Sequence, residues 1–382
     1  MDKITDHKVF IDKIKLSLVN QINDLLENKK NLIDGLQFCK NYAEVYDEVI
    51  RKVYLETQDN KSGFAVAACG SYGRNELCFK SDIDIVFLTG DTEDQKINDR
   101  IKMVIKGLWD TGIDIAYTIR NYQDCINTYS NDHPSFTALL ETRYICGDPL
   151  IYVDFINSFH QFLEKEKNFF FVYSVIEGIE FRHNKFGNSV KLLEPNIKNS
   201  AGSLRDLHEL FWIFKSLYPN NFTEIPFGKK ESTKHIINEL YIQGSRNSLM
   251  VFLEYLYKKE IINYMLFKQV IEAYNFLLKT RNELHILEGM HTDLLKYNIQ
   301  KSIACGLGYK GHEGQNVRNF MRDYYLHARK IFRLNSIIKD QIAELLTARK
   351  SRAGRKKVLD DDFIILNNNL SFKDEEADVF RL

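Results

Sequence analysis

Two aspartates stand two residues apart in Ser81-Asp82-Ile83-Asp84-Ile85-Val86-Phe87. In an extended strand that spacing turns both carboxylates to one face and Ile83 and Ile85 to the other. Like charges on one face repel each other unless a cation lies between them. Hard divalent cations with oxygen ligands, most often Mg2+, are the usual answer. Just upstream, Gly70-Ser71-Tyr72-Gly73-Arg74-Asn75-Glu76 places a small residue and a hydroxyl at a strand-to-loop turn. Backbone N–H groups approach phosphate oxygens closely at such turns, and Arg74 adds a charge. A third acid on a neighbouring strand would complete a metal site. Asp114 holds such a position, facing opposite to Ile113 and Ile115. A lone D-x-D or a lone Gly-Ser turn is common; strand, Gly-Ser, loop and D-x-D in one short span is far more specific.

These residues need elements to hold them. Phe64-Ala65-Val66-Ala67-Ala68-Cys69 reads as a buried strand ending at Gly70, and Ser71 to Arg74 as a loop. Residues 82–88 form a second strand, 93–109 a helix, and 113–119 an alternating third strand. Residues 8–58 carry helical periodicity with a polar break at Asn28 to Asn31. From Leu150 to about residue 346 the pattern is helical, interrupted at 186–189, 194–202, 218–230 and 306–314. A short strand is expected at Phe363 to Leu366. The resulting divisions are 1–60 (helical), 61–149 (sheet unit), 150–346 (helical) and 347–382 (basic linker and tail).

Composition excludes several classes. The 382 residues hold 52 basic and 52 acidic side chains, which argues against a basic nucleic-acid coat or an acidic tail. No apolar run is long enough to span a membrane, and the N-terminus lacks a signal-peptide pattern. The six cysteines include no C-x-x-C pair and read as buried free thiols in a reduced, cytoplasmic setting.

The sequence resembles the DNA polymerase β-like nucleotidyltransferase superfamily, and more closely the N-terminal half of bacterial PII uridylyltransferase/uridylyl-removing enzymes. Four stretches carry the likeness. They are Gly70 to Leu77 with Ser81 to Asp84; Leu108 to Asp114 with Thr118-Ile119-Arg120; Leu139 to Arg143 with Gly147-Asp148; and Leu193 to Lys198 with Gly202 to His208. The last is the most family-specific. Weaker likeness continues through Arg281-Asn282-Glu283-Leu284-His285 and Phe320 to Tyr325. Two departures are mild: Ser71 stands where the family usually has Gly, and Asp114 where it usually has Glu.

The resemblance implies an α+β chain, with a small mixed-sheet nucleotidyltransferase domain beside a larger all-α domain. It implies transfer of UMP from UTP to a tyrosine of a PII signal protein, with pyrophosphate released. Asp82, Asp84 and Asp114 would be catalytic and would hold two Mg2+ ions, with Mn2+ as a substitute. Gly70, Ser71, Arg74, Ser81, Lys198 and Arg205 would bind the nucleotide. No membrane or nucleic-acid partner is expected. The alternatives are UMP or AMP transfer to another protein, a small molecule or an RNA end, and a non-catalytic nucleotide-binding module. The chain has no His-Asp dipeptide and stops at Leu382, so the HD hydrolase and ACT sensor domains of the longer enzymes, and uridylyl removal with them, are not expected.

Other features read more plainly. Glu76 and Glu141 can pair with arginines inside the fold. The histidines show no metal-ligand spacing. Phe169-Phe170-Phe171 reads as core, and the basic run 349–357 as a solvated linker.

Overall fold

The computed structural model describes residues 2–27, 34–57, 63–90, 94–166, 169–222, 233–312, 314–352, 356–358, 363–366 and 369–372. The fold is α+β. Its centre is a mixed sheet of β1 (Phe64–Ala68), β2 (Ile83–Thr89), β3 (Ile115–Arg120) and β4 (Arg143–Gly147), in the order β3-β2-β1-β4. β1 runs antiparallel to β2 and to β4, whereas β2 and β3 are parallel. The parallel pair is joined through α4 (Gln95–Asp110), because parallel neighbours need a crossover.

β1 is apolar throughout and β2 nearly so, apart from Asp84 and Thr89, because both sheet faces are covered. Phe64, Val66, Ile83, Ile85 and Phe87 enter one core with α1 (Asp2–Glu27), α2 (Gly35–Thr57) and α4. Ala65, Ala67, Val86 and Leu88 enter a second core, shared with the helices that follow the sheet. Asp84 alternates with Ile83 and Ile85, so it lies on the second face.

After β3 come α5 (Tyr122–Asn131), α6 (His133–Leu140) and, past β4, α7 (Pro149–Glu166) and α8 (Phe169–Phe186). The helical unit continues with α9 (Leu204–Leu217), α10 (Thr233–Gly244), α11 (Ser248–Lys258), α12 (Tyr264–Glu288), α13 (Tyr297–Gly306) and α14 (Gln315–Arg352). α9 is buried on nearly every side, as a central helix is. α12 ties the units together: Phe79 N–H donates to Asn282 Oδ1 at 2.9 Å, and the Phe79 carbonyl meets His285 Nδ1 at 2.6 Å. A small sheet of β5 (Lys356–Val358), β6 (Phe363–Leu366) and β7 (Asn369–Phe372) contains the expected C-terminal strand.

Several local expectations change. Ser71 to Arg74 is not a loop: α3 (Gly70–Gly73) is one helical turn, closed by Gly73 N–H to Cys69 O and Arg74 N–H to Gly70 O. The third strand starts at Ile115, because Ile113 N–H still bonds Leu108 O at the end of α4. β4 goes unread in the sequence; its Arg143 is buried against Asp47 on α2, a contact made only by folding. Helix α14 runs to Arg352, past the expected end, and so takes in the start of the basic run; residues 353–355 lie outside the described residues. Phe171 is core, but Phe170 is 66% exposed. Five of the six cysteines are buried free thiols, and Cys305 is exposed. Among the described residues no helix is long and apolar enough to cross a membrane.

Candidate active site

β1 delivers the chain to Gly70, whose φ of +56° lies in the left-handed region that glycine adopts without strain. A Cβ there would stand 3.0 Å from Asp84 Oδ2, so the bare backbone lets the turn press against the carboxylate. Gly73 is tighter: its Cβ would lie 1.9 Å from the Glu141 carbonyl oxygen. Cys69 N–H donates to the Asp84 carbonyl at 2.9 Å and pins the turn to β2. Asp82 is exposed and Asp84 half-buried. Burial, then the charge of Asp82, pushes the Asp84 carboxyl up to about 6. Ser81 Oγ is buried and has no hydrogen-bond partner among the described residues. Two crowded carboxylates and an unspent hydroxyl form a hard-oxygen set that fits a divalent cation.

The opposing wall is basic. The loop between α8 and α9 is locked by its own polar groups: Asn196 Oδ1 accepts from Lys198 N–H at 3.1 Å and from Asn199 N–H at 2.7 Å. Ser203 Oγ donates to the Lys198 carbonyl at 2.6 Å, and Arg205 N–H to the same oxygen at 2.9 Å. A bridge between Asn196 and Leu294 fastens the loop to the segment after α12. Burial, then the charges of Arg281 and Arg205, pulls Lys198 down to about 8. Burial and then Arg74 lower Arg205 as well, and its guanidinium sits 5.0 Å above the Trp212 ring.

A buried charge network joins the two walls and itself lines part of the cavity. Arg74 Nε donates to Glu76 at 3.1 Å, and its Nη1 meets Glu141 at 2.5 Å. Glu76 also accepts from His208 Nε2 at 2.8 Å and from Tyr274 OH at 2.9 Å. Burial, then Arg74, pulls His208 down to about 3, so it is neutral and donates from Nε2. Burial raises Glu76, but His208 and Arg74 outweigh it and hold the carboxylate well below its usual range. Trp212 Nε1 donates to Glu141. The pairing of Glu76 and Glu141 inside the fold is therefore observed, and Arg74 is the arginine that both engage.

Gly70, Ser71, Arg74, Ser81, Asp82, Asp84, Lys198 and Arg205 all line one cavity of about 480 Å³. Asp114 is not among the lining residues; it is exposed, one residue before β3. The parallel register, Ile83 beside Ile115, sets Asp114 next along from Asp82. Sequence reasoning left Arg281, His291 and Trp212 without a role, yet all three line the cavity. The signal for Arg281 was its place in the Arg281-to-His285 stretch; His291 and Trp212 carried none.

The histidine expectation also needs correction. His285, His291 and Asp293 bring one ligand atom each to within 4.8 Å of one another, a metal-compatible group that spacing did not reveal. A cation already serves it: Arg281 donates to Asp293 at 2.6 Å and reaches His291 Nε2 at 3.1 Å. The cluster therefore reads as the support that orients Arg281 toward the cavity.

Residues 171–338 match the family model described as GlnD PII-uridylyltransferase, and residues 20–116 match one described as "Putative nucleotidyltransferase DUF294". Among curated proteins, the bifunctional uridylyltransferase/uridylyl-removing enzyme of Bradyrhizobium sp. (strain ORS 278) is 31% identical over 91% of this chain and 36% of its own length. Proteins of the same name from Azospirillum brasilense and Zymomonas mobilis are each 29% identical, over 84% and 86% of this chain. The chain spans about a third of the length of these relatives, 32–36%. The chain is similar over most of its length to the N-terminal third of bacterial bifunctional uridylyltransferase/uridylyl-removing enzymes, with its sheet-containing part matching the model described as a putative nucleotidyltransferase and its helical part the one described as GlnD PII-uridylyltransferase.

Proposed function

We propose that this chain transfers UMP from UTP to a tyrosine hydroxyl of a PII-like protein in the cytoplasm and releases pyrophosphate. The observation that carries the reading is the single cavity with Asp82 and Asp84 on one wall and Lys198 and Arg205 on the other. Carboxylates suit a metal, and cations suit a triphosphate. The names of the relatives supply the base, and the description of the matching family model supplies the acceptor.

Asp82 and Asp84 would hold Mg2+, as one or two ions, with Asp114 as the third carboxylate. When bound, the metal neutralises phosphate charge and acidifies the attacking hydroxyl. The chain's own residues do the rest. Gly70 and Ser71 offer backbone N–H groups and a hydroxyl to the phosphates. Ser81 offers its unspent hydroxyl. Lys198 and Arg205 hold the β- and γ-phosphates, and Arg281 adds a third cation on the same wall. The tyrosine oxygen bonds to the α-phosphorus as the bond to the bridging α–β oxygen breaks; pyrophosphate leaves with that electron pair. Asp114, exposed beside Asp82, takes the hydroxyl proton. Such a site works chiefly by positioning and charge neutralisation.

The test is transfer of labelled nucleotide from each of the four triphosphates to PII of the same organism, with Mg2+ or Mn2+. Label on a PII tyrosine from UTP supports the reading. Label on a different acceptor would move the activity to AMP or UMP transfer elsewhere, and no transfer at all would leave a non-catalytic module.

A further inference from the structure

Two thiols meet in the core behind the strand that carries Asp82 and Asp84. Cys39, near the start of α2, and Cys78, between α3 and β2, bring their Sγ atoms to 3.7 Å. Both side chains are fully buried. The contact is built by three elements. Asn282 Nδ2 of α12 donates to Cys39 Sγ at 3.2 Å, while Asn282 Oδ1 accepts the N–H of Phe79, the residue after Cys78. His285 of α12 holds the Phe79 carbonyl from the same helix. Cys39 is fixed by its own helix, so neither sulfur is free to drift from the other. Cys78 also faces the Arg281 guanidinium. Burial raises the Cys78 thiol, but the Cys39 S–H donated to it and the Arg281 charge outweigh burial and hold it below the ordinary thiol value. Burial, then the Cys78 sulfur, pushes Cys39 well up. Cys78 is thus the thiolate of the pair and Cys39 the proton donor. Burial pushes the other buried cysteines, Cys69, Cys125 and Cys146, up.

We propose that Cys39 and Cys78 are an oxidisable dithiol, a modification site that closes to an intramolecular disulfide in the presence of a hydroperoxide. The Cys78 thiolate attacks a peroxide oxygen: an S–O bond forms, the O–O bond breaks, and the displaced hydroxide takes a proton and leaves as water. The Cys39 sulfur then attacks the Cys78 sulfur: the S–S bond forms, the S–O bond breaks, and the oxygen leaves with the Cys39 proton as a second water. The dithiol loses two electrons and the peroxide gains them. Arg281 both lines the cavity and borders Cys78, which gives a small oxidant a route from the opening to the thiolate. The bond fastens α2 to the segment that runs into Asp82 and removes the thiolate from beside Arg281.

The test exposes the folded full chain, carrying Cys305→Ser to remove the exposed thiol, to hydrogen peroxide. Remaining thiols are alkylated and located by peptide mapping, and the intact mass is measured. Cys39 and Cys78 should be lost together, with the mass falling by two hydrogens and a peptide joining the two segments. Their loss should run about tenfold or more faster than that of Cys69, Cys125 or Cys146, because the thiolate fraction changes about tenfold per unit of pKa. Dithiothreitol should restore both thiols. Cys39→Ser leaves no resolving sulfur, so Cys78 should stop at a sulfenic acid that dimedone traps. Cys78→Ser should leave Cys39 open to alkylation after the same exposure. The parent chain alone decides the proposal if either serine variant does not fold. Oxidation of Cys69, Cys125 or Cys146 ahead of the pair, a disulfide between other positions, or intact Cys39 and Cys78 until the chain unfolds would each overturn it.

Discussion

His208 Nε2 donates to Glu76 Oε1 at 2.8 Å, and this contact joins the central helix α9 to the segment that leads from the α3 turn into β2. Both groups are buried, and Tyr274 of α12 and Arg74 meet the same carboxylate. The Gly70–Gly73 turn is thus keyed to the helical unit in part through one charged residue, Glu76. Removing one member of such a buried network leaves its partners uncompensated. Glu76→Ala should cost about 3 kcal/mol of stability, read by denaturant unfolding. The double-mutant cycle with His208→Ala should show a coupling of about 1–3 kcal/mol. Additive effects would mean that the two residues do not act together.

Asp82→Asn and Asp84→Asn should each lower nucleotide transfer by about two to three orders of magnitude or more, the scale of losing one electrostatic stabiliser. Stability should hold or rise slightly, because Asp84→Asn removes the burial of a charge and either change removes the Asp82–Asp84 repulsion, the two causes that push Asp84 up to about 6. Activity is read by label transfer and stability by thermal unfolding. Full activity in either variant excludes the metal-binding role.

Lys198 gives a pH signature. Its folded pKa, about 8, lies below the free value of 10.5. The charge that would grip a triphosphate is therefore lost as pH rises through about 8, and KM for the nucleotide should climb there. Stability moves the other way. The unfolded chain binds more protons between these two values, so this residue's contribution to stability rises with pH across that window. Lys198→Arg should flatten the KM rise, because arginine keeps its proton in this range. An identical KM profile in the variant would remove Lys198 from triphosphate binding.

Gly73→Ala tests the packing that holds the turn. The added Cβ would meet the Glu141 carbonyl oxygen at 1.9 Å, and backbone cannot step aside as a side chain can. The expected cost is about 1–3 kcal/mol or more, with transfer activity falling in the molecules that still fold. A wild-type melting temperature would show that the Gly73–Glu141 approach is looser than described.

Much of this protein was legible along the chain. The spacing of Asp82 and Asp84, with Gly70 and Ser71 before them, marked the carboxylate wall, because period-two alternation and turn chemistry are local properties of a strand and its exit. The resemblance marked Lys198 and Arg205, which the fold brings to the same cavity. Tertiary structure decided the rest. It made Arg74 the partner of Glu76 and Glu141, from segments far apart in sequence. It set Asp114 outside the cavity lining, in register with Asp82, by where α4 releases the chain into β3. It gathered Arg281 from α12 and His291 from the segment after it, and His133 and Ser174 from two different helices, around one opening. The physical reason is the same throughout. Periodicity reports which face a residue occupies, whereas the desolvation and charge pairing that give Lys198, Glu76 and His208 their character arise only when distant segments pack together.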